Sequence, residues 1–146
     1  ARDPPVVLVL FGDHKPWMGN GGSVYEEMGI DFDTSTLAGF RNYYATPYLI
    51  WANRASKEVL GEDFTGDGGD FSPCFLMTRL FDACGWAGPG YMQLSRAMRD
   101  ISPLLHTNGL FLHDGVLTSV LSDTDRSFYR SWLAVQYYRE HVAAYS

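Results

Sequence analysis

The chain has 146 residues, 46% hydrophobic and 19% charged, which is a globular composition long enough for one domain with a core and unlike that of a disordered segment. A formal net charge of −6 and a pI near 5.0 argue against a nucleic-acid partner, which would require basic patches. No apolar stretch approaches the about 20 residues of a membrane-spanning helix, and aromatic residues are abundant at 15%.

Residues 6–11, VVLVLF, are an unbroken apolar run rich in β-branched side chains that ends at Gly12-Asp13-His14. A run without alternation predicts a strand buried on both faces, as in a parallel sheet with helices on either side. Few other segments could flank it. Its neighbours are therefore expected upstream in a longer parent protein, as a first residue other than Met also suggests. Residues 15–22 read as a Pro/Gly/Asn loop, and Ser23 with Glu26 makes a capping box that predicts a short helix over 24–29. Thr46-Pro47 opens a second short strand, Tyr48-Leu49-Ile50-Trp51, which Asn53 follows. Residues 61–71, GEDFTGDGGDF, form a flexible acidic loop without the ligand spacing or closing Glu of an EF-hand.

Ser72 as N-cap and Pro73 at the first helical position start a helix that passes through Cys74 to Ala83 and stops near Gly85. On one helix, Cys74 and Cys84 would stand about 15 Å apart, beyond the roughly 7 Å reach of a disulfide. Both read as small buried thiols. Pro89 opens a helix over 90–101. Residues 110–112 and 116–120 are two short strands, and Asp114-Gly115 between them is a hairpin turn. Ser122 or Asp123 caps a last helix over 124–143, whose apolar face carries Phe128, Trp132, Val135, Tyr138 and Val142.

The chemistry concentrates at Gly12-Asp13-His14, at the C-terminal end of the first strand. Open α/β sheets bind ligands beyond that end of their strands. A carboxylate and a neutral imidazole suit zinc or manganese. Adjacent strand residues point to opposite faces, so both can reach one ion only if the chain leaves strand geometry there. Gly12 is expected to permit that bend through its wide dihedral range. The plainer alternative has Asp13 capping a turn and His14 exposed.

The segment Val7-Leu8-Val9-Leu10-Phe11-Gly12-Asp13-His14-Lys15-Pro16 resembles the strand and "GDH-x-P" signature of the lipoteichoic acid synthase-like (phosphoglycerol transferase) branch of the alkaline phosphatase/sulfatase superfamily. Tyr44-Ala45-Thr46-Pro47-Tyr48-Leu49-Ile50-Trp51-Ala52-Asn53 is similar to that branch's "Y-x-T-P-hydrophobic-I-W-x-N" strand, and Phe71-Ser72-Pro73 to the start of its next helix. The likeness covers about residues 5–105, in order. It implies that residues 1–146 are an incomplete, C-terminal portion of a three-layer α/β/α catalytic domain, with a small antiparallel hairpin near its end.

The resemblance also implies a mechanism. Asp13 and His14 match two ligands of a divalent cation, manganese or magnesium, with zinc as an alternative. A Glu and a nucleophilic Thr would come from the upstream half of the same protein. That Thr would take a glycerophosphate group from a membrane lipid head group and pass it to a cell-envelope glycolipid or polymer, at the extracellular face of a membrane to which the parent is anchored. The chain alone lacks the nucleophile, so no turnover and weak or no metal binding are expected of it. Lys15 is a candidate contact for the anionic substrate. Self-association of the fragment is a further expectation, with the first strand left under-paired or covered by another chain. Two alternatives stand beside this reading: a sulfatase or phosphoethanolamine transferase of the same superfamily, and a non-catalytic α/β interaction module.

Other polar groups read as structural. His113-Asp114 sits at the hairpin turn, while His106 and His141 read as surface histidines. Asp31 and Asp33 are read as solvated loop carboxylates, Thr46 as not the nucleophile, and Trp17 as a wall or lid beside the site.

Overall fold

The apolar run of residues 6–11 becomes β1 (Val7–Phe11), which pairs antiparallel with β2 (Tyr48–Ala52) in the computed structural model, which describes residues 3–142. The chain divides into two compact units, Ala1–Gly66 and Asp67–Ser146. Among the described residues the fold is mixed α/β, with six α-helices and two small antiparallel sheets of two strands each.

In the first unit the β1–β2 register runs from Val7 opposite Ala52 to Phe11 opposite Tyr48. The parallel, doubly buried strand expected from the sequence is corrected here. Leu8 is 44% and Leu10 54% exposed, and the one partner strand is antiparallel. The physical reason is supply: apolar side chains on both faces require two covering layers, and the unit places its helices against only part of the ribbon. The expectation of an under-paired first strand holds.

Asn53 closes the ribbon. Its Oδ1 accepts from the Val6 amide at 3.1 Å and its Nδ2 donates to the Pro4 carbonyl at 2.8 Å. The same Oδ1 accepts from the Ser56 amide at 2.9 Å, which caps α3 (Arg54–Leu60).

A 3-10 turn at Asn20–Gly22 leads into α1 (Ser23–Glu27), whose N-cap is Gly22 in the left-handed region rather than Ser23. The next helix, α2 (Leu37–Tyr44), starts where Thr36 Oγ1 accepts from the Gly39 amide at 3.0 Å. Gly39 lies so close to the Asp33 backbone that any Cβ would collide with it. Aromatic rings fill the space between these helices. Tyr25 packs on Phe32 at 4.9 Å, Phe32 on Tyr43 at 5.5 Å, and Tyr43 on Trp17 at 6.1 Å. The high aromatic content is thus partly core.

The second unit holds a 3-10 turn (Pro73–Phe75), α4 (Leu76–Ala83), α5 (Gly90–Ile101), the hairpin β3 (Phe111–His113) and β4 (Val116–Thr118), and α6 (Asp123–His141). Asp114 and Gly115 both have positive φ, 49° and 77°, as a two-residue primed turn demands. Phe75, Met98 and Trp132 form the core. The Trp132 indole donates to Ser95 Oγ at 3.0 Å, which satisfies two buried polar atoms across α5 and α6.

Three readings of this unit change. Ser72 does not cap a helix with its side chain. Its Oγ accepts from the Leu105 amide at 2.8 Å and donates to the Leu105 carbonyl at 3.0 Å. Cys74 lies in the 3-10 turn and is exposed, while Cys84 is buried; neither is in a disulfide. On α6 the expected apolar face is buried only at Trp132 and half-buried at Phe128, while Val135, Tyr138 and Val142 are exposed. Residue 143, the expected helix end, lies outside the described residues.

Asp82 ties α4 to α5. Arg96 Nε donates to one of its oxygens at 2.6 Å, Arg99 Nη2 to the other at 2.7 Å, and Arg79 approaches to 3.8 Å. Burial would raise the Asp82 carboxyl, but the hydrogen bonds and charges of Arg99 and Arg96 outweigh it and hold the group below its ordinary value. A carboxyl lowered by folding stabilises the native state above its unfolded value near 4, and the gain is lost as pH falls through the folded value. Asp82→Asn should therefore cost roughly 1–2 kcal/mol at pH 7, after discounting for partial exposure. In urea titrations read by circular dichroism, the gap between variant and wild type should close toward acid pH; a gap independent of pH would refute this account of Asp82.

Candidate metal centre

The site begins where the β1–β2 ladder ends. The Gly12 amide donates to the Pro47 carbonyl at 3.0 Å, and Thr46 Oγ1 donates to the Gly12 carbonyl at 2.7 Å. Gly12 has no positive φ, so the bend does not exploit the dihedral freedom expected of it. Close approach is what excludes a side chain: a Cβ on Gly12 would stand 3.0 Å from Thr46 Cβ. Thr46 therefore acts as the buttress of the strand end, and its hydroxyl proton is already committed.

Beyond Gly12 the chain turns. Asp13 Oδ1 accepts from the His14 amide at 2.8 Å, which turns the carboxylate toward the following residue. The His14 ring lies with Nδ1 3.1 Å from the Lys15 carbonyl and Nε2 3.6 Å from Asp13 Oδ2. In the tautomer that donates from Nδ1, the Nε2 lone pair is left on the Asp13 side. This is the arrangement typical of a ligating histidine, whose second nitrogen is fixed by a carbonyl. Two ligand atoms each about 2.1 Å from a tetrahedral ion stand about 3.4 Å apart. The 3.6 Å separation is close to that spacing. They are open to solvent, 78% exposed for His14 and 81% for Asp13.

Among the described residues no group of three or more His, Cys, Asp or Glu gathers to hold an ion. Asp13 and His14 fit as one part of a coordination shell. Two protein ligands fall short of the usual three or four of a zinc site.

Lys15 is occupied. Its ammonium donates to the Asn42 carbonyl in the last turn of α2, where a cation is favoured by the helix dipole. To serve as the expected substrate contact it would have to release that bond. Tyr25 Oη donates to the Pro16 carbonyl, so the loop after His14 is pinned on both sides. Trp17 follows, packed edge-on against Tyr43 and 59% exposed.

The remaining sequence candidates have local partners of their own. Asp31 and Asp33 accept from backbone amides two residues ahead, at 2.8 and 2.9 Å, as turn-forming carboxylates do. His113 Nδ1 lies 3.1 Å from the Ile101 carbonyl, and the Asp114 carboxylate beside it is 93% exposed. His141 stacks on Tyr137 at 4.2 Å. The contribution of Asn53 to the ribbon was not anticipated from the sequence, although Asn53-x-x-Ser56 carries the spacing of a helix cap.

No family model, no curated protein and no solved structure matches the chain.

Because Thr46 fills the space beside Gly12, Gly12→Ala should displace the strand end rather than strain a dihedral. We expect a loss of about 1 kcal/mol, with amide chemical-shift changes concentrated at residues 12–15 and 46–47. Shifts scattered over β2 and α3 instead would show that the close contact does not set the exit of the strand.

Proposed function

We propose that this chain supplies the Asp-His part of a divalent-cation centre in a phosphoryl-transferring enzyme of the alkaline phosphatase/sulfatase superfamily, in its lipoteichoic acid synthase-like branch. One observation carries the reading. At the C-terminal end of β1, Asp13 Oδ2 and His14 Nε2 stand 3.6 Å apart, with the other imidazole nitrogen held at the Lys15 carbonyl. The sequence blocks around Gly12-Asp13-His14 and Thr46–Asn53 support it, and the ribbon places both blocks side by side.

On this reading the chain is the C-terminal portion of a three-layer α/β/α domain, and the remaining ligands, a Glu and a nucleophilic Thr, come from a polypeptide segment outside it. The cation, manganese or magnesium, would neutralise phosphoryl oxygens and lower the pKa of the attacking hydroxyl. Asp13 contributes the anionic ligand and His14 the oriented neutral one. Thr46 and Gly12 fix where the pair emerges. On this reading Trp17, three residues beyond His14 and 59% exposed, would cover one side of a polar head group. The substrate is a lipid head-group phosphate, with glycerophosphate as the transferred group, at the outer face of a membrane. No helix among the described residues is long and apolar enough to cross one.

Manganese is paramagnetic and broadens nearby resonances, which makes it a direct probe of the isolated chain. Added Mn2+ should selectively broaden the amides of residues 12–15, and Asp13→Ala or His14→Ala should abolish that broadening. Broadening centred on His113 and Asp114, or retained in both variants, would remove the ligand role. In the parent transferase the same two variants should lose at least about 100-fold in turnover.

A further inference from the structure

The edge of β1 carries its own signal. The hydrogen bonds from the Gly12 amide to the Pro47 carbonyl and from the Asn53 amide to the Val6 carbonyl fix which β1 residues face β2 with their backbone groups. Antiparallel pairs alternate, so positions 6, 8, 10 and 12 point inward, while Val7, Val9 and Phe11 turn their N–H and C=O groups to the outer edge. No strand among the described residues meets that edge.

Protein edges are ordinarily protected by charge, proline, a bulge or brevity. Here the five-pair register is continuous, so there is no bulge, and β1 contains neither charge nor proline. With Val6 it makes a six-residue apolar run of high β propensity, the composition that pairs with copies of itself. One face adds to this. Leu8 lies opposite Trp51 and Leu10 opposite Leu49, and the four side chains are 44%, 47%, 54% and 51% exposed, respectively.

Area decides the mode of contact. Four half-exposed apolar side chains offer a patch of roughly 350 Å². Two copies stacked face to face would bury about 700 Å², short of the about 1,200 Å² of a stable interface. Edge pairing adds inter-strand backbone hydrogen bonds to the area it buries, each a modest net gain because water satisfied those groups before.

We infer that the outer edge of β1 is a self-association seam, on which β1 of a second copy pairs antiparallel about a two-fold axis near Val9. In that register Leu8 meets Leu10 of the other copy and Asp13 meets Pro5, so no charge faces a like charge. A two-fold normal to the sheet keeps both apolar faces on one side. The product is a four-stranded sheet with a doubled apolar face, which favours stacking of two such sheets at higher concentration. This seam does not depend on the metal reading, since neither Asp13 nor His14 contributes to it.

Sedimentation velocity of the full chain over a wide concentration range tests the seam. Wild type should shift from monomer to dimer and larger species as concentration rises. The double variant Leu8→Lys, Leu10→Lys sets ammonium groups opposite one another across the seam. It should weaken association about tenfold, at roughly 0.5–1 kcal/mol per like-charged pair, with the far-ultraviolet circular dichroism unchanged. Val135→Lys, on the exposed part of α6, should leave association intact. A monomer at every concentration, an undiminished double variant, or suppression by Val135→Lys would each overturn the inference. Should the double variant unfold, hydrogen exchange on wild type decides. The Val7, Val9 and Phe11 amides should become protected as concentration rises, and protection independent of concentration would reject the seam.

Discussion

Asn53 and the Gly12–Thr46 contact grip the two ends of a five-residue strand pair, and the rest of the first unit depends on that grip. A two-stranded ribbon is marginal in water unless something holds its ends or covers its faces. Asn53 uses one amide to bind the Val6 and Pro4 backbone and to begin α3, so sheet and helix form together or not at all. At the far end the Thr46 hydroxyl and the Pro47 carbonyl hold Gly12 in place, and the chain leaves the sheet with its next two side chains already aimed.

That aim gives Asp13 and His14 chemical meaning, and also sets its limit. Both groups lie open to solvent, where a charge is screened and a ligand competes with water. Preorganised electrostatic stabilisation is strong in sites from which water is excluded. A catalytic centre built on this pair therefore needs a cover. The Lys15–Pro16 segment beside the pair is held by Tyr25 and by the Lys15 bond to α2.

Much of the architecture was legible in the sequence because the strongest local signals were unopposed. The Asp114-Gly115 turn, the α5 helix after Pro89 and the α6 helix after Ser122 stand where their turn and cap residues put them. Two short helices, α2 and α3, were overlooked. Each is set by one capping side chain, Thr36 or Asn53, and neither has a clear apolar period. The β1 run was read correctly as apolar on both sides and incorrectly as buried, because apolarity records a demand for cover and not its presence. The α6 stripe failed similarly: beyond Trp132, Arg139 lies over the Tyr91 ring while Val135 and Tyr138 stay exposed. The closeness of Asp13 Oδ2 and His14 Nε2, 3.6 Å, could not be derived from strand geometry alone. It came from a backbone turn whose first bond is made by Asp13 itself.

The placement of the four indoles has an optical consequence. Trp17, Trp51 and Trp86 are 59%, 47% and 46% exposed, whereas Trp132 is 2% exposed and bonded to Ser95. Emission from the first three already comes from a wet environment, so denaturant changes their colour little. The red shift of intrinsic fluorescence during unfolding will then follow the Phe75–Met98–Trp132 nucleus almost alone. Opening of the ribbon that presents Asp13 and His14 could pass unseen by that probe, and a dye or isotope label in the first unit would be needed to watch it.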